Sequence, residues 1–112
     1  IREAVRRAKA GSFSKKIEVE VSSADEAVEA AEAGADIVMF DNMTPSSIRD
    51  AVKSLESKGV RKRLVLEASG GIDETNILEF ARSGVDMLSL GSLTHSAGAL
   101  DLSLELKGLK RR

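Results

Sequence analysis

Residues 34–40 read Gly-Ala-Asp-Ile-Val-Met-Phe, and residues 84–90 read Gly-Val-Asp-Met-Leu-Ser-Leu. Each segment begins with a glycine, which ends helices readily because it accepts left-handed backbone angles, and continues into a strand-like apolar run. Gly59 lies midway between these two glycines, 25 residues from each, and Gly11 lies 23 residues before the first. The sequence therefore predicts a repeated unit of one helix and one strand.

The segments before these glycines have the spacing of amphipathic helices. Ser23, followed by Glu26 three residues later, has the spacing of a capping box. Thr44 is a second candidate cap because it precedes a proline at a favourable first helical position, and Asp73 is predicted to cap a third helix. The apolar positions predicted to face the core are Ile1, Ala4, Val5 and Ala8; Ala24, Ala27, Val28 and Ala31; Ile48, Ala51, Val52 and Leu55; and Ile77, Leu78 and Ala81.

Four strands are predicted between the helices: Lys16–Val21, Ile37–Phe40, Leu64–Ala68 and Met87–Leu90. Alternating helices and strands predict an α/β fold whose parallel strands are joined by right-handed crossovers. Four such β/α units correspond to half of a TIM-like barrel or to a small open sheet. A complete barrel needs about 250 residues. Because the 112 residues open in helical rhythm without a cap, we expect residues 1–112 to be a piece of a longer protein.

Composition excludes several classes of protein. The 17 basic and 18 acidic residues nearly balance, which argues against a nucleic-acid partner. The chain has no cysteine, so disulfides and thiolate chemistry are excluded. It has no run of about 18 apolar residues that could span a membrane, and no secretory signal precedes the first strand. A cytoplasmic protein without a membrane partner is therefore expected.

One face of the predicted sheet is apolar and the other is polar, because side chains alternate along a strand. The apolar set is Ile17, Val19, Val21, Val38, Phe40, Leu64, Leu66, Leu88 and Leu90. The polar set is Glu18, Glu20, Met39, Asp41, Val65, Glu67, Ser69, Ser89 and Gly91. Burying several unpaired carboxylates is unfavourable, so this face either binds a ligand or metal or stays open to water. Its polar positions come late in the strands, where barrel active sites lie.

Two glycine-containing loops are predicted to bind phosphate. Residues 69–71 (Ser-Gly-Gly) follow the third strand, and residues 91–96 follow the fourth. Glycines let backbone N–H groups approach an anion, and paired loops late in a barrel form a recurring phosphate site. His95, the single histidine, is either a general acid, a phosphate contact or a helix cap. A metal, if one binds, would be a hard cation such as Mg²⁺, held by carboxylates and substrate phosphates.

Four segments together resemble the quinolinate phosphoribosyltransferases: residues 16–21, 33–42, 66–72 and 91–96. The resemblance implies an enzyme that converts quinolinate and phosphoribosyl pyrophosphate (PRPP), with Mg²⁺, to nicotinate mononucleotide, pyrophosphate and CO₂, in de novo NAD biosynthesis. It also implies an incomplete β/α barrel that works as a homodimer or larger homo-oligomer, of which this chain would supply the last four strands.

The resemblance also implies roles for particular residues. Glu20 and Asp41 would be the catalytic residues that hold the ribose hydroxyls, and they could also hold Mg²⁺. The 5′-phosphate of PRPP would be bound by Ser69, Gly70 and Gly71, by the backbone of Leu90, Gly91 and Ser92, and at the rim by His95. The basic residues that bind the quinolinate carboxylates in this family have no counterpart here. Lys15 and Lys16 are expected at the opposite end of the strands.

Two alternatives remain open from the sequence. The first is a barrel paralogue linked to molybdate transport, which is similar to the same family. The second is a half barrel without catalytic activity that associates with a second copy through its open sheet edge. We expect the 112 residues alone to be inactive.

Overall fold

The computed structural model describes residues 1–11, 15–90 and 102–106, with the backbone alone for 102–105. The elements are α1 (Arg2–Gly11), β1 (Glu18–Val21), α2 (Ala24–Ala33), β2 (Ile37–Asp41), α3 (Pro45–Ser57), a 3₁₀ turn (Arg61–Arg63), β3 (Val65–Ser69), α4 (Ile77–Ala81), β4 (Met87–Leu90) and β5 (Leu102–Glu105). The predicted alternation of helices and strands is confirmed, and all four predicted strands are present within two residues of their predicted bounds.

The strands form one sheet in the order β1-β2-β3-β4-β5. Strands β1 to β4 are parallel, as predicted for β/α units. Strand β5 pairs antiparallel with β4 and was not predicted. Its sequence, Leu-Ser-Leu-Glu, does alternate as a strand should, but it begins only 15 residues after the start of β4, short of the 25-residue repeat.

Two of the three predicted helix caps are confirmed. Ser23 Oγ accepts a hydrogen bond from the backbone N of Glu26 at 3.1 Å. Thr44 Oγ1 accepts one from the backbone N of Ser47 at 3.1 Å, with Pro45 as the first residue of α3. Each side chain satisfies an N–H group that the first helical turn leaves without a partner.

The prediction that Asp73 caps the next helix is wrong. Asp73 Oδ1 instead accepts hydrogen bonds from the backbone N atoms of Thr75 and Asn76, at 2.8 and 3.3 Å, and so closes a separate turn. Helix α4 begins after this turn and is five residues long. Phe80 is buried in this helix, whereas Leu78, which was predicted to face the core, is 60% exposed.

The hydrophobic core lies between the sheet and the helices. The predicted apolar face supplies buried side chains from every parallel strand: Val21, Val38, Phe40, Leu66, Leu88 and Leu90. They cluster with the buried faces of α2 and α3, at Ala27, Ala30, Ala31, Ile48, Ala51 and Leu55. This face therefore packs as predicted, and the polar set is left on the other side. In the described ranges, no helix is long and apolar enough to cross a membrane.

The repeated Gly-x-Asp segments have a common structural role. Asp36 Oδ2 accepts a hydrogen bond from the backbone N of Ile17 at 2.9 Å, and Asp86 Oδ2 accepts one from the backbone N of Leu66 at 2.8 Å. The repeat between them has Arg61 at this position, and its guanidinium Nη2 lies 3.2 Å from both carboxylate oxygens of Asp86. These contacts tie the amino ends of the strands together.

Candidate active site

The strand register places Glu20, Asp41 and Ser69, three of the predicted site residues, toward one end of the sheet. Asp41 on β2 is opposite Ser69 on β3, and Ser69 is opposite Ser89 on β4. These three residues form one row at the carboxyl ends of the strands. Glu20 and Glu67 are both opposite Met39 and lie in the row below. The predicted cluster therefore exists as two adjacent rows on the polar face of the sheet.

Carboxylates are concentrated on this face. Glu67 is 6% exposed and accepts a hydrogen bond from Ser89 Oγ. The pKa of Glu18 is raised above its ordinary value, first by partial burial, then by the negative charges of Glu67 and Glu20, and last by a hydrogen bond with Glu67. Such a site favours positive charge, whether on a cation or on a sugar carbon that becomes positive as its leaving group departs.

No group of three or more His, Asp or Glu side chains within the described ranges is arranged to hold a metal ion. Mg²⁺, however, is commonly bound through one or two protein carboxylates and completes its shell with water and substrate phosphates. Glu20 and Asp41, on neighbouring strands and adjacent rows, fit this second kind of site. The residues present are therefore suited to a cation that arrives with a phosphorylated substrate.

The predicted phosphate loop begins where β3 ends. Gly70 and Gly71 have φ angles of 87° and 71°, which L side chains rarely adopt. Their backbone N–H groups donate no hydrogen bond to any residue that the structure describes. Asn76 holds the end of the turn, since its Nδ2 donates to Gly71 O at 2.7 Å. Two consecutive N–H groups without protein acceptors are suited to an anion.

The second predicted phosphate loop is described only at its start. Leu90 ends β4, and its side chain is buried on the helix-packed face, so that its backbone alone could contact a ligand. Gly91, Ser92 and His95 lie outside the described residues. Their predicted roles stay predictions.

Two structural relations at the site were missed by sequence reasoning. Asn42 lies within residues 33–42, one of the family segments, but no role was predicted for it. The signal that could have found it is its residue type, since Asn adopts left-handed backbone angles more readily than most residues. Glu67 and Ser89 were placed on the polar face, but not as a pair. Strand parity could have indicated that they share a face, whereas their contact depends on the register between β3 and β4.

A separate cavity of about 730 Å³ lies at the opposite end of the sheet. It is lined by the first residues of β3 and β4, Val65 and Met87, and by basic side chains that include Arg49, Lys53 and Lys62. Because these residues lie at the amino ends of the strands, this cavity is distinct from the rows that contain Asp41 and Glu20.

Parallel β/α units with polar side chains at the carboxyl ends of the strands define the class of the fold: a part of a β/α-barrel domain. The family model described as "Quinolinate phosphoribosyl transferase, C-terminal domain" matches residues 1–105. The chain therefore belongs to the quinolinate phosphoribosyltransferase family, and the resemblance drawn from its motifs is confirmed.

Individual relatives agree with this assignment. A probable nicotinate-nucleotide pyrophosphorylase (carboxylating) from Methanothermobacter thermautotrophicus is 54% identical over 111 residues, covering 98% of this chain and 40% of that protein. The human nicotinate-nucleotide pyrophosphorylase (carboxylating) is 44% identical over 107 residues, covering 95% of this chain and 35% of the human protein. The crystal structure of NadC from Streptococcus pyogenes matches with a TM-score of 0.73 at 43% identity, covering 90% of this chain and 34% of that one. The chain thus spans about two fifths or less of these relatives.

Proposed function

We propose that the protein to which this chain belongs transfers the phosphoribosyl group of PRPP to quinolinate, with release of pyrophosphate and CO₂, and so forms nicotinate mononucleotide. The observation that carries this proposal is that Asp41 lies beside Ser69, and that Ser69 directly precedes two glycines whose N–H groups donate to no residue that the structure describes. Two adjacent strands thus end in a carboxylate that could hold a ribose and in a turn that could bind the phosphate attached to that ribose.

The proposed chemistry follows from these positions. Gly70 and Gly71 donate backbone hydrogen bonds to the 5′-phosphate, while Asp41 and Glu20 accept hydrogen bonds from the ribose hydroxyls. This double attachment orients the anomeric carbon toward the pyridine nitrogen of quinolinate. As the bond to pyrophosphate breaks, the sugar becomes oxocarbenium-like, and the nearby carboxylates stabilise its positive charge. Mg²⁺, held through Glu20 and Asp41, would neutralise the phosphate oxygens.

The chain supplies only part of such a site. No lysine or arginine lies among the described residues that directly follow β1, β2 and β3, while Lys15 and Lys16 lie before β1, at the amino end, as expected. The quinolinate carboxylates would therefore be bound by residues outside this chain. We further propose a cytoplasmic protein that assembles as a homodimer or a larger homo-oligomer.

The proposal is tested by assaying the full protein that the gene encodes with quinolinate and PRPP. Truncating either Glu20 or Asp41 to alanine is expected to lower turnover by about 100-fold or more, because preorganised groups at developing charge contribute on this order. Glu32→Ala is the matched control, since Glu32 is exposed on α2. Near-normal turnover in both variants would exclude the proposed roles.

Release of CO₂ separates this function from the molybdate-linked paralogue. Since 45% identity to the rat nicotinate-nucleotide pyrophosphorylase (carboxylating) and 54% to the archaeal relative favour the pyrophosphorylase, we expect one CO₂ for each nicotinate mononucleotide formed. Full turnover of PRPP without CO₂ would favour the paralogue.

A further inference from the structure

Asn42 occupies an unusual backbone position at the proposed site. It directly follows Asp41 and has a φ of 55°, and it is the one non-glycine residue with a positive φ among those that the structure describes. Its backbone N donates a hydrogen bond to Ser69 O at 3.0 Å. The residue therefore links the end of β2 to the last residue of β3, where the double-glycine turn begins.

The side chain of Asn42 also determines how closely that turn can approach. A β-carbon built on Gly70 would lie 2.5 Å from Asn42 Oδ1, which is closer than real β-carbons come to other atoms, and it would make a tight contact of 3.0 Å with Asn42 Cγ. A β-carbon built on Gly71 would meet nothing within 4 Å. The Asn42 carboxamide thus packs against the α-carbon of Gly70 in space that only glycine leaves free.

We infer that Asn42 is a positioning residue that holds the Gly70–Gly71 turn, so that its N–H groups face the 5′-phosphate of PRPP. This inference rests on the proposed function and extends it. Because Asn42 adjoins Asp41 in sequence, the same residue sets the position of the phosphate-binding turn relative to the carboxylate that holds the ribose. Its role is to keep two contacts on one substrate at a constant separation.

The first test is Asn42→Gly in the full protein, because glycine keeps the left-handed backbone and removes the carboxamide. We expect the KM for PRPP to rise about tenfold. This is the effect of losing about one hydrogen bond between an N–H group of the turn and the charged 5′-phosphate. The kcat and the KM for quinolinate are expected to stay within about threefold, and the unfolding midpoint to change little. A role limited to folding would lower the midpoint and leave the KM for PRPP unchanged.

The second test is a double-mutant cycle for PRPP. Gly70→Ala alone is expected to raise the KM for PRPP strongly. Adding Asn42→Gly to that variant is expected to lower the KM again in part, because it removes the clash between the new β-carbon and the Asn42 carboxamide. Gly59→Ala is the matched control: Gly59 has a φ of 74° with open space around it, so this change adds backbone strain alone and should leave the KM unchanged.

The outcomes separate the two proposals. If the unaltered protein forms nicotinate mononucleotide but Asn42→Gly leaves the KM for PRPP unchanged, or if the two changes in the cycle are additive, the proposed function stands and the role of Asn42 is overturned. If Gly70→Ala does not fold, Asn42→Gly decides alone. If the unaltered protein forms no nicotinate mononucleotide, the proposed function fails and the inference fails with it.

Discussion

Among individual residues, Glu67 is a buried acid with a hydrogen-bond donor on the neighbouring strand. Its side chain is almost fully buried, and Ser89 Oγ donates a hydrogen bond to it. Burying a carboxylate without a donor is costly, whereas a charge-assisted hydrogen bond offsets part of that cost. Ser89 thereby lets a negative charge stay beneath the row that contains Asp41 and Ser69.

Replacing Ser89 by alanine is expected to lower the free energy of unfolding by about 1–3 kcal/mol, since Glu67 is left without this donor. Urea unfolding of the two proteins measures the difference. Ser46→Ala, at an exposed position in the first turn of α3, serves as the control and should have little effect. Equal losses in the two variants would contradict a special role for the Glu67–Ser89 pair.

Glu18 is expected to make stability depend on pH. Its pKa is raised in the folded state, so the folded protein binds more protons than the unfolded chain between the ordinary pKa of 4.5 and the raised value. The free energy of unfolding therefore falls as the pH rises through this window, and Glu18 is unfavourable above it.

Glu18→Gln should accordingly raise the unfolding midpoint at about pH 7, with a gain that shrinks toward about pH 4, where the carboxyl of Glu18 is increasingly protonated in both states. Glu32→Gln, at an exposed site on α2, should show no such trend. A gain for Glu18→Gln of the same size at both pH values would show that ionisation of the partly buried Glu18 is not its cause.

Among the elements, the two aspartates of the Gly-x-Asp repeats both accept a backbone hydrogen bond near the start of a strand, but their surroundings differ. Asp36 accepts from one strand N–H group, while Asp86 also pairs with Arg61, whose side chain is 13% exposed. Arg61 Nη1 in addition donates to Leu64 O at 3.2 Å. The repeat that begins at Gly59 therefore has Arg61 in place of an aspartate, and this arginine pairs with Asp86 of the next repeat.

Asp86→Ala is expected to destabilise the protein by about 3–5 kcal/mol, because it leaves a mostly buried guanidinium without its carboxylate. Asp36→Ala should cost about 1 kcal/mol, the ordinary value for one hydrogen bond. Chemical denaturation of both variants gives the comparison. If the two losses are the same, the Arg61–Asp86 pair adds nothing to the shared hydrogen bond.

For the whole molecule, the described sheet would supply only part of the proposed site. Strand β1 is an edge of the described sheet, and the described part of its polar face carries carboxylates and a candidate phosphate turn but no lysine or arginine that could bind the quinolinate carboxylates. We therefore expect the 112 residues, purified alone, to form no nicotinate mononucleotide from quinolinate and PRPP. Stoichiometric product from this chain alone would prove that expectation wrong.

The same preparation tests the alternative of a self-associating half barrel. An exposed strand edge and an open polar face favour pairing of two copies, which sedimentation would detect. A folded chain that stays strictly monomeric would argue against completion of a ring by two copies. The full protein that the gene encodes, assayed in parallel, shows that the substrates and conditions support turnover.

Local sequence was sufficient for most of the fold. Glycines that follow helices, the Ser23 and Thr44 caps and the period-two alternation of the strands all act within a few residues, so they predicted parallel β/α units with one apolar face. The same reasoning failed at α4, where Asp73 favours a turn over a helix start, and at β5, which pairs antiparallel with β4. At α4 the outcome is itself local, since Asp73 accepts from residues two and three positions along the chain, whereas at β5 the pairing with β4 decides.

What the sequence determined by itself is the family and the set of polar residues that lie late in the strands, because motifs and side-chain alternation are properties of neighbouring residues. What only the tertiary structure decided is which of those residues meet. Asp41 beside Ser69, Glu67 under Ser89 and Asn42 against Gly70 each join segments about 22 to 28 residues apart. Such contacts depend on strand register, which is set when the whole sheet packs on its helices.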